Sequence, residues 1–144
     1  MRFFKRLSLL ILVALVIPQI GCGQIYESTI GLPLAINQFR STDDVALDIA
    51  GNIYVVDATS NKIKKFDSNG APLLQWGSYG SEDGQFYNPQ GIAVDASGNV
   101  YVADFNNHRI QKFTSSGAFI TKWGGYGTGD GQLYAPGGIA VDAS

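Results

Sequence analysis

The sequence predicts an all-β fold made of repeated four-stranded antiparallel sheets, and three observations carry that prediction. Residues 52–66, NIYVVDATSNKIKKF, and residues 99–113, NVYVADFNNHRIQKF, are near copies 47 positions apart. The same offset takes Trp76 onto Trp123, Gly84 onto Gly131, Pro89 onto Pro136 and Gly91 onto Gly138, and carries Asp48 to Asp95 and then to Asp142. An offset held this far marks an internal repeat, which settles architecture before local propensity does. The composition, with 18 Gly, 12% aromatic and only 15% charged residues, suits short strands joined by tight turns. No segment shows the apolar i, i+3, i+4 stripe of a packed helix.

The unit from 91 to 138 gives the elements in order. GIAV is a short apolar run closed by DASGN, and VYVA is a β-branched and aromatic run closed by DFNNH. RIQKF alternates and ends at TSSG, and AFITKW alternates and runs into GGYGTGDGQLYAPGG. Each run has strand length, and each break carries Gly, Asn or Asp, which accept positive φ or cap a turn. The first two runs are apolar on both faces, as a sheet stacked between two neighbours requires. Four antiparallel strands in a repeat of this length form a β-propeller blade. Two complete blades and the start of a third are present. A closed ring takes 4–8 blades, so an incomplete propeller is expected: a piece of a longer protein, or a short chain that shares a ring with other copies.

The string P-x-G-I-A-V-D-A-S-G-N-V-Y-V-A-D…N-H-R-I-Q-K-F closely resembles the NHL repeat. The resemblance covers 37–144 and starts degenerate: Gln38 and Phe39 match Gln85 and Phe86, whereas Thr42 replaces Pro89 and Asp44 replaces Gly91. It implies a propeller that usually closes with six blades. Residues 24–36 read as a linker or a closing strand, with YESTI at 26–30 where the repeat frame places a fourth strand.

The first 23 residues read as an export leader. MRFFKR is basic, LSLLILVALVI is an apolar run too short to span a bilayer, and Pro18 with QIGCGQ follows. IGC at 20–22 resembles a bacterial lipobox, which implies cleavage before Cys22, a lipid on that thiol and a place in the cell envelope; Gln19 departs from the pattern. Ordinary cleavage after Gly23 and simple secretion is the alternative. Cys22 is the single cysteine, so no internal disulfide is possible. Once Arg2, Lys5 and Arg6 leave with the leader, seven basic residues face twelve acidic ones, a net charge of −5. That balance disfavours nucleic acid, which is bound through Lys and Arg at phosphates.

Alternating strand direction puts the second-to-third-strand loops and the long blade-to-blade loops on one face, which is the expected ligand face because its loops are longer and differ between copies. Its candidate residues are Phe105, Asn106, Asn107, His108 and Tyr126, with Tyr79 and Tyr134 as further rings able to stack on a ligand. Asp57 and Asp104 recur after the second strand and read as loop caps pairing with Lys62 and Arg109 rather than as metal ligands; Asp83 and Asp130 read the same way. His108 is the single histidine and reads as an exposed turn residue, too few ligands for zinc. Trp76 and Trp123 are expected to pack between blades. No catalytic residues, metal or cofactor are expected, and GGYGTGDG opens no helix as a phosphate loop would.

The expected function is an exported, lipid-anchored scaffold that binds a protein or a saccharide. One alternative is part of a lyase- or lactonase-like propeller enzyme whose catalytic residues lie in blades outside this chain. A relative of RNA-binding or ubiquitin-ligase NHL proteins is opposed by the leader and the acidic balance.

Overall fold

The structure is a computed structural model and describes residues 41–142. Among these residues the first sheet holds β1 (Thr42–Leu47), β2 (Ile53–Asp57), β3 (Lys62–Phe66) and β4 (Pro72–Trp76). The second holds β5 (Pro89–Val94), β6 (Val100–Asp104), β7 (Arg109–Phe113) and β8 (Phe119–Gly124). Each sheet is a meander in chain order with every neighbouring pair antiparallel. The register repeats with the sequence: Tyr54 faces Lys65 as Tyr101 faces Lys112. The expected strands are all present in the second unit, with β5 reaching back to Pro89, β6 forward to Asp104 and β8 to Gly124. DFNNH contains one short 3₁₀ turn, Phe105–Asn107, closed by His108 at φ 54°. The leader, Cys22 and the proposed closing strand at 26–30 lie outside the described residues.

The turns follow from their residues. Asp95 accepts from the backbone N of Ser97 (3.0 Å) and Asn99 (2.8 Å), and Gly98 takes φ 82° to complete the bend into β6. The other carboxylate oxygen accepts from Asn99 Nδ2 (2.7 Å) and the Tyr101 hydroxyl (3.0 Å). Asp48, Asn52 and Tyr54 repeat this staple one blade earlier. Burial opposes ionisation of Asp48 and Asp95, but the accepted hydrogen bonds outweigh it and hold both carboxyls below the ordinary value of 3.8.

The core lies between the two sheets. Tyr54, Val56 and Ile63 of the first pack against Ile92, Val100, Val102 and Phe113 of the second, with Phe86 from the connecting loop. Each fully buried side chain of this size stabilises by roughly 1.5–3 kcal/mol. Trp76 packs between the blades as expected, edge-on to Tyr54 at 6.4 Å and tilted onto Phe113 at 5.9 Å. Trp123 repeats the edge contact on Tyr101 (6.2 Å) and is 44% exposed. Unlike Trp76, and against the expectation, it does not pack between the two described blades.

Asp44, which replaces the repeat's glycine, has a use: its carboxylate accepts from Ile92 N (2.9 Å), tying β1 to β5. At the equivalent Gly91 the backbone of 137–139 comes so close that no Cβ would fit. Residues 137–142 form no strand.

Candidate functional site

The β2–β3 loop (58–61), the β6–β7 loop (105–108) and the blade-to-blade loops (77–88 and 125–136) share one edge of the blades, as strand alternation predicts. A buried polar knot fixes this edge. Asp104 is fully buried and its Oδ2 accepts from Arg109 Nε (2.8 Å), Asn107 Nδ2 (2.9 Å) and Gln111 Nε2 (3.1 Å), while Oδ1 accepts from Tyr87 N (2.8 Å). Arg109 continues into the preceding loop, donating to the carbonyls of Ser81 (2.6 Å), Glu82 (2.9 Å) and Gln85 (2.9 Å). Gln111 closes the knot by donating to Gln85 O (2.6 Å) and accepting from Gly84 N (3.0 Å). The second blade thus clamps the loop that arrives from the first.

Asp104 therefore pairs with Arg109, the structural role expected of it. Asp57 differs in detail: its partner is Lys64 (2.7 Å), not Lys62. Lys62 stands directly opposite Asp57, and Lys64 is two residues further on the same face. From the diagonal position the Lys64 side chain buries with Asp57, at 2% and 0% exposure. Burial opposes the Asp57 charge, but Lys64 and Ser60 overcome it and hold the carboxyl low. Asp83 is no loop cap. It forms a half-exposed surface pair with Lys122 at 2.6 Å, of the kind that contributes little to stability.

The aromatic rings lie over this edge in two equivalent groups. Tyr79 and Tyr87 meet edge-to-face at 5.1 Å. One period on, Tyr126 and Tyr134 meet at 5.7 Å, and His108 joins them, stacked on Tyr134 at 5.6 Å and edge-on to Tyr126 at 5.1 Å. Tyr79, Tyr126 and Tyr134 are 66%, 70% and 68% exposed, and Tyr87 is 43% exposed. Tyr79 and Tyr87 lie in the loop that joins the two described blades.

His108 is not the freely exposed turn residue expected from the sequence. It is half-buried, and its Nδ1 accepts from Ala135 N at 3.0 Å, which puts the proton of the neutral ring on Nε2. Asn61, its counterpart, does the same with Oδ1, accepting from Asn88 N at 2.8 Å. Both residues sit at φ 54°, and their partners Asn88 and Ala135 at 55° and 47°. The left-handed conformation favours Asn and tolerates His, which is why these two types alternate here.

Of the remaining expected residues, Phe105 and Asn106 are half-buried at the start of the 3₁₀ turn, and Asn106 N donates to Tyr87 O (3.1 Å). The Asn107 amide is committed to Gly80 O (2.8 Å) and Asp104. The structure brings His108 and Tyr126 together and turns Asn107 inward. It adds Tyr87 and Asn61, which the 47-residue offset from Tyr134 and His108 could have identified. Among the described residues no three His, Cys, Asp or Glu side chains group as a metal site, and no helix is long and apolar enough to cross a membrane.

Residues 86–113 match the family described as NHL repeat. Comparison with curated protein sequences returns no match. Among solved structures, a Bacteroides thetaiotaomicron protein of unknown function is similar over 64% of this chain and 28% of its own, with 21% identity and a TM-score of 0.55. Hydrazine synthase from Kuenenia stuttgartiensis is similar over 83% of this chain and 30% of its own, with 11% identity and a TM-score of 0.54. Streptogramin B lyase matches over 57% of this chain and 26% of its own, at 16% identity and a TM-score of 0.46. The chain thus spans less than a third of each of these structures, and at such identities the likeness concerns the fold. The sequence repeat, the matching four-stranded meanders and the NHL-repeat match over residues 86–113 agree: the described residues fold as two adjoining blades of β-propeller type.

Proposed function

We propose that this chain is an exported binding scaffold, held in the bacterial envelope by lipid on Cys22, which takes its protein or saccharide partner on the edge bearing Tyr79, Tyr87, His108, Tyr126 and Tyr134. The observation that carries this reading is the pairing of exposed rings with a locked backbone. Asp104, Arg109, Gln111 and Asn107 fix the loop beneath the first ring pair, so the rings are presented with little ordering cost on binding. The opposite edge has short turns whose Asp48 and Asp95 carboxylates are already consumed by neighbouring donors. Its exposed residues, such as Ser97 and Ser115, have little reach.

The test compares two double variants of the full-length protein, Phe105→Ala with Tyr126→Ala, and Ser97→Ala with Ser115→Ala, against a glycan array and a peptide array. Binding should be lost with the first pair and kept with the second; the reverse pattern would refute the choice of face. The anchor is tested by mass spectrometry of the N-terminal peptide. A diacylglyceryl-modified Cys22 is expected, and an unmodified peptide starting at Gln24 would refute it. Several acyl chains, unlike one, keep a protein in the membrane fraction.

A further inference from the structure

We propose that the ring-bearing edge binds a linear, uncharged polysaccharide, each 47-residue repeat contributing one sugar platform. This rests on the choice of face above and adds the chemistry of the ligand. The platforms recur with the repeat: Tyr79 and Tyr87 beside Asn61, then Tyr126 and Tyr134 beside His108. A surface that repeats the same rings at each blade fits a ligand that repeats along its own length.

The chemistry of each platform selects among such ligands. An aromatic face is electron-rich and attracts the weakly positive C–H edge of a pyranose ring. In an edge-to-face pair one ring still offers a face, and Tyr hydroxyls, amides and the Nε2–H of His108 can meet sugar hydroxyls. Polyanions are disfavoured. The loops carry Glu82, Asp83 and Asp130, Arg109 is buried on Asp104 and three carbonyls, and Lys122 is paired with Asp83. Among the described residues of this edge that leaves Lys62, at the start of β3, one cation where nucleic acid or an acidic polysaccharide would call for several.

An extended peptide is also disfavoured. Peptides are commonly held by adding a strand to an open edge. Here the loop backbone is already paired: Gly80 N with Phe86 O, Phe86 N with Ser78 O, Asn106 N with Tyr87 O, and Leu133 N with Gly125 O. What remains outward is ring surface.

The experiment is affinity electrophoresis of the full-length protein in gels containing hydroxyethyl cellulose, laminarin, xylan or glycol chitin, with polygalacturonate as the acidic control. Calorimetry with an oligosaccharide length series of the best glycan follows. Retardation by at least one neutral glycan and none by polygalacturonate is expected. Affinity should rise at least about ten-fold once the oligomer is long enough to touch two platforms. Tyr79→Ala and Tyr126→Ala should each weaken binding about ten-fold, the loss expected for one stacked ring. Absence of binding to every neutral glycan, an affinity that does not change with length, or preference for polygalacturonate would overturn the proposal. A peptide ligand lost in Tyr79→Ala and Tyr126→Ala would overturn the saccharide while leaving the face intact. Glycan binding lost only with Ser97→Ala and Ser115→Ala would overturn the face as well.

Discussion

Replacing Asp104 by Ala tests the clamp on which the binding edge depends. The carboxylate is fully buried and receives four hydrogen bonds, one of them from the guanidinium of Arg109, itself 8% exposed. Removing one partner of a buried ion pair costs about 3–5 kcal/mol, because the remaining charge is left uncompensated. Arg109 keeps three carbonyl acceptors, and Asn107 keeps Gly80 O, so the lower end, about 3 kcal/mol, is expected. Urea unfolding followed by the fluorescence of Trp76 and Trp123 reads this directly. With a slope of about 1–3 kcal/mol per molar, the midpoint should fall by about 1–3 M. The paired variant Asp104→Leu with Arg109→Met should not recover the loss, because Tyr87 N and the carbonyls of Ser81 and Glu82 lose their partners as well. A loss below about 1 kcal/mol for Asp104→Ala, or a double variant as stable as the unaltered protein, would refute the account of the knot.

Three further outcomes follow from the structure. Asp48, Asp57 and Asp95 have carboxyls lowered below 3.8 in the fold, so the unfolded chain binds more protons as acid is added; stability should be level from neutral pH to about 5, then fall as pH drops through the folded values, and Asp95→Asn should flatten that fall in a pH series of urea melts. His108→Asn should be nearly neutral in thermal melts, because Asn61 makes the same bond to the next loop in the same left-handed conformation, whereas His108→Ala should cost about 1–3 kcal/mol from the lost acceptor and the strained backbone; equal melts for the two variants would contradict the equivalence. Gly77→Ala should destabilise far more than Gly84→Ala: both have positive φ, 98° and 80°, but a Cβ at Gly77 would lie 2.6 Å from the Phe86 ring and 2.8 Å from Asn61 O, while at Gly84 it meets open space. For Gly84→Ala only the conformational cost of about 1 kcal/mol applies, and similar urea midpoints for the two would refute the packing.

The sequence by itself determined the repeat, the four strands of each blade and the turns between them. Those features are local or periodic: Asp95, Gly98 and Asn99 build their bend within five residues, and the 47-residue offset survives whatever the chain packs against. It also placed Trp76 between the blades, whereas Trp123, at the same place in the second blade, is half-exposed. Only the tertiary structure decided that Lys64 rather than Lys62 serves Asp57, since both point to one face and burial chooses between them. It alone decided that Arg109 reaches back across 24 to 28 residues to the carbonyls of the preceding loop. The same holds for the rings. Tyr79 and Tyr87 are eight residues apart on a loop with no regular period, and they meet because Phe86 is buried between the blades and folds the loop back on itself. Contacts of that kind arise from where the chain is anchored at distant points, which no local pattern of residues records.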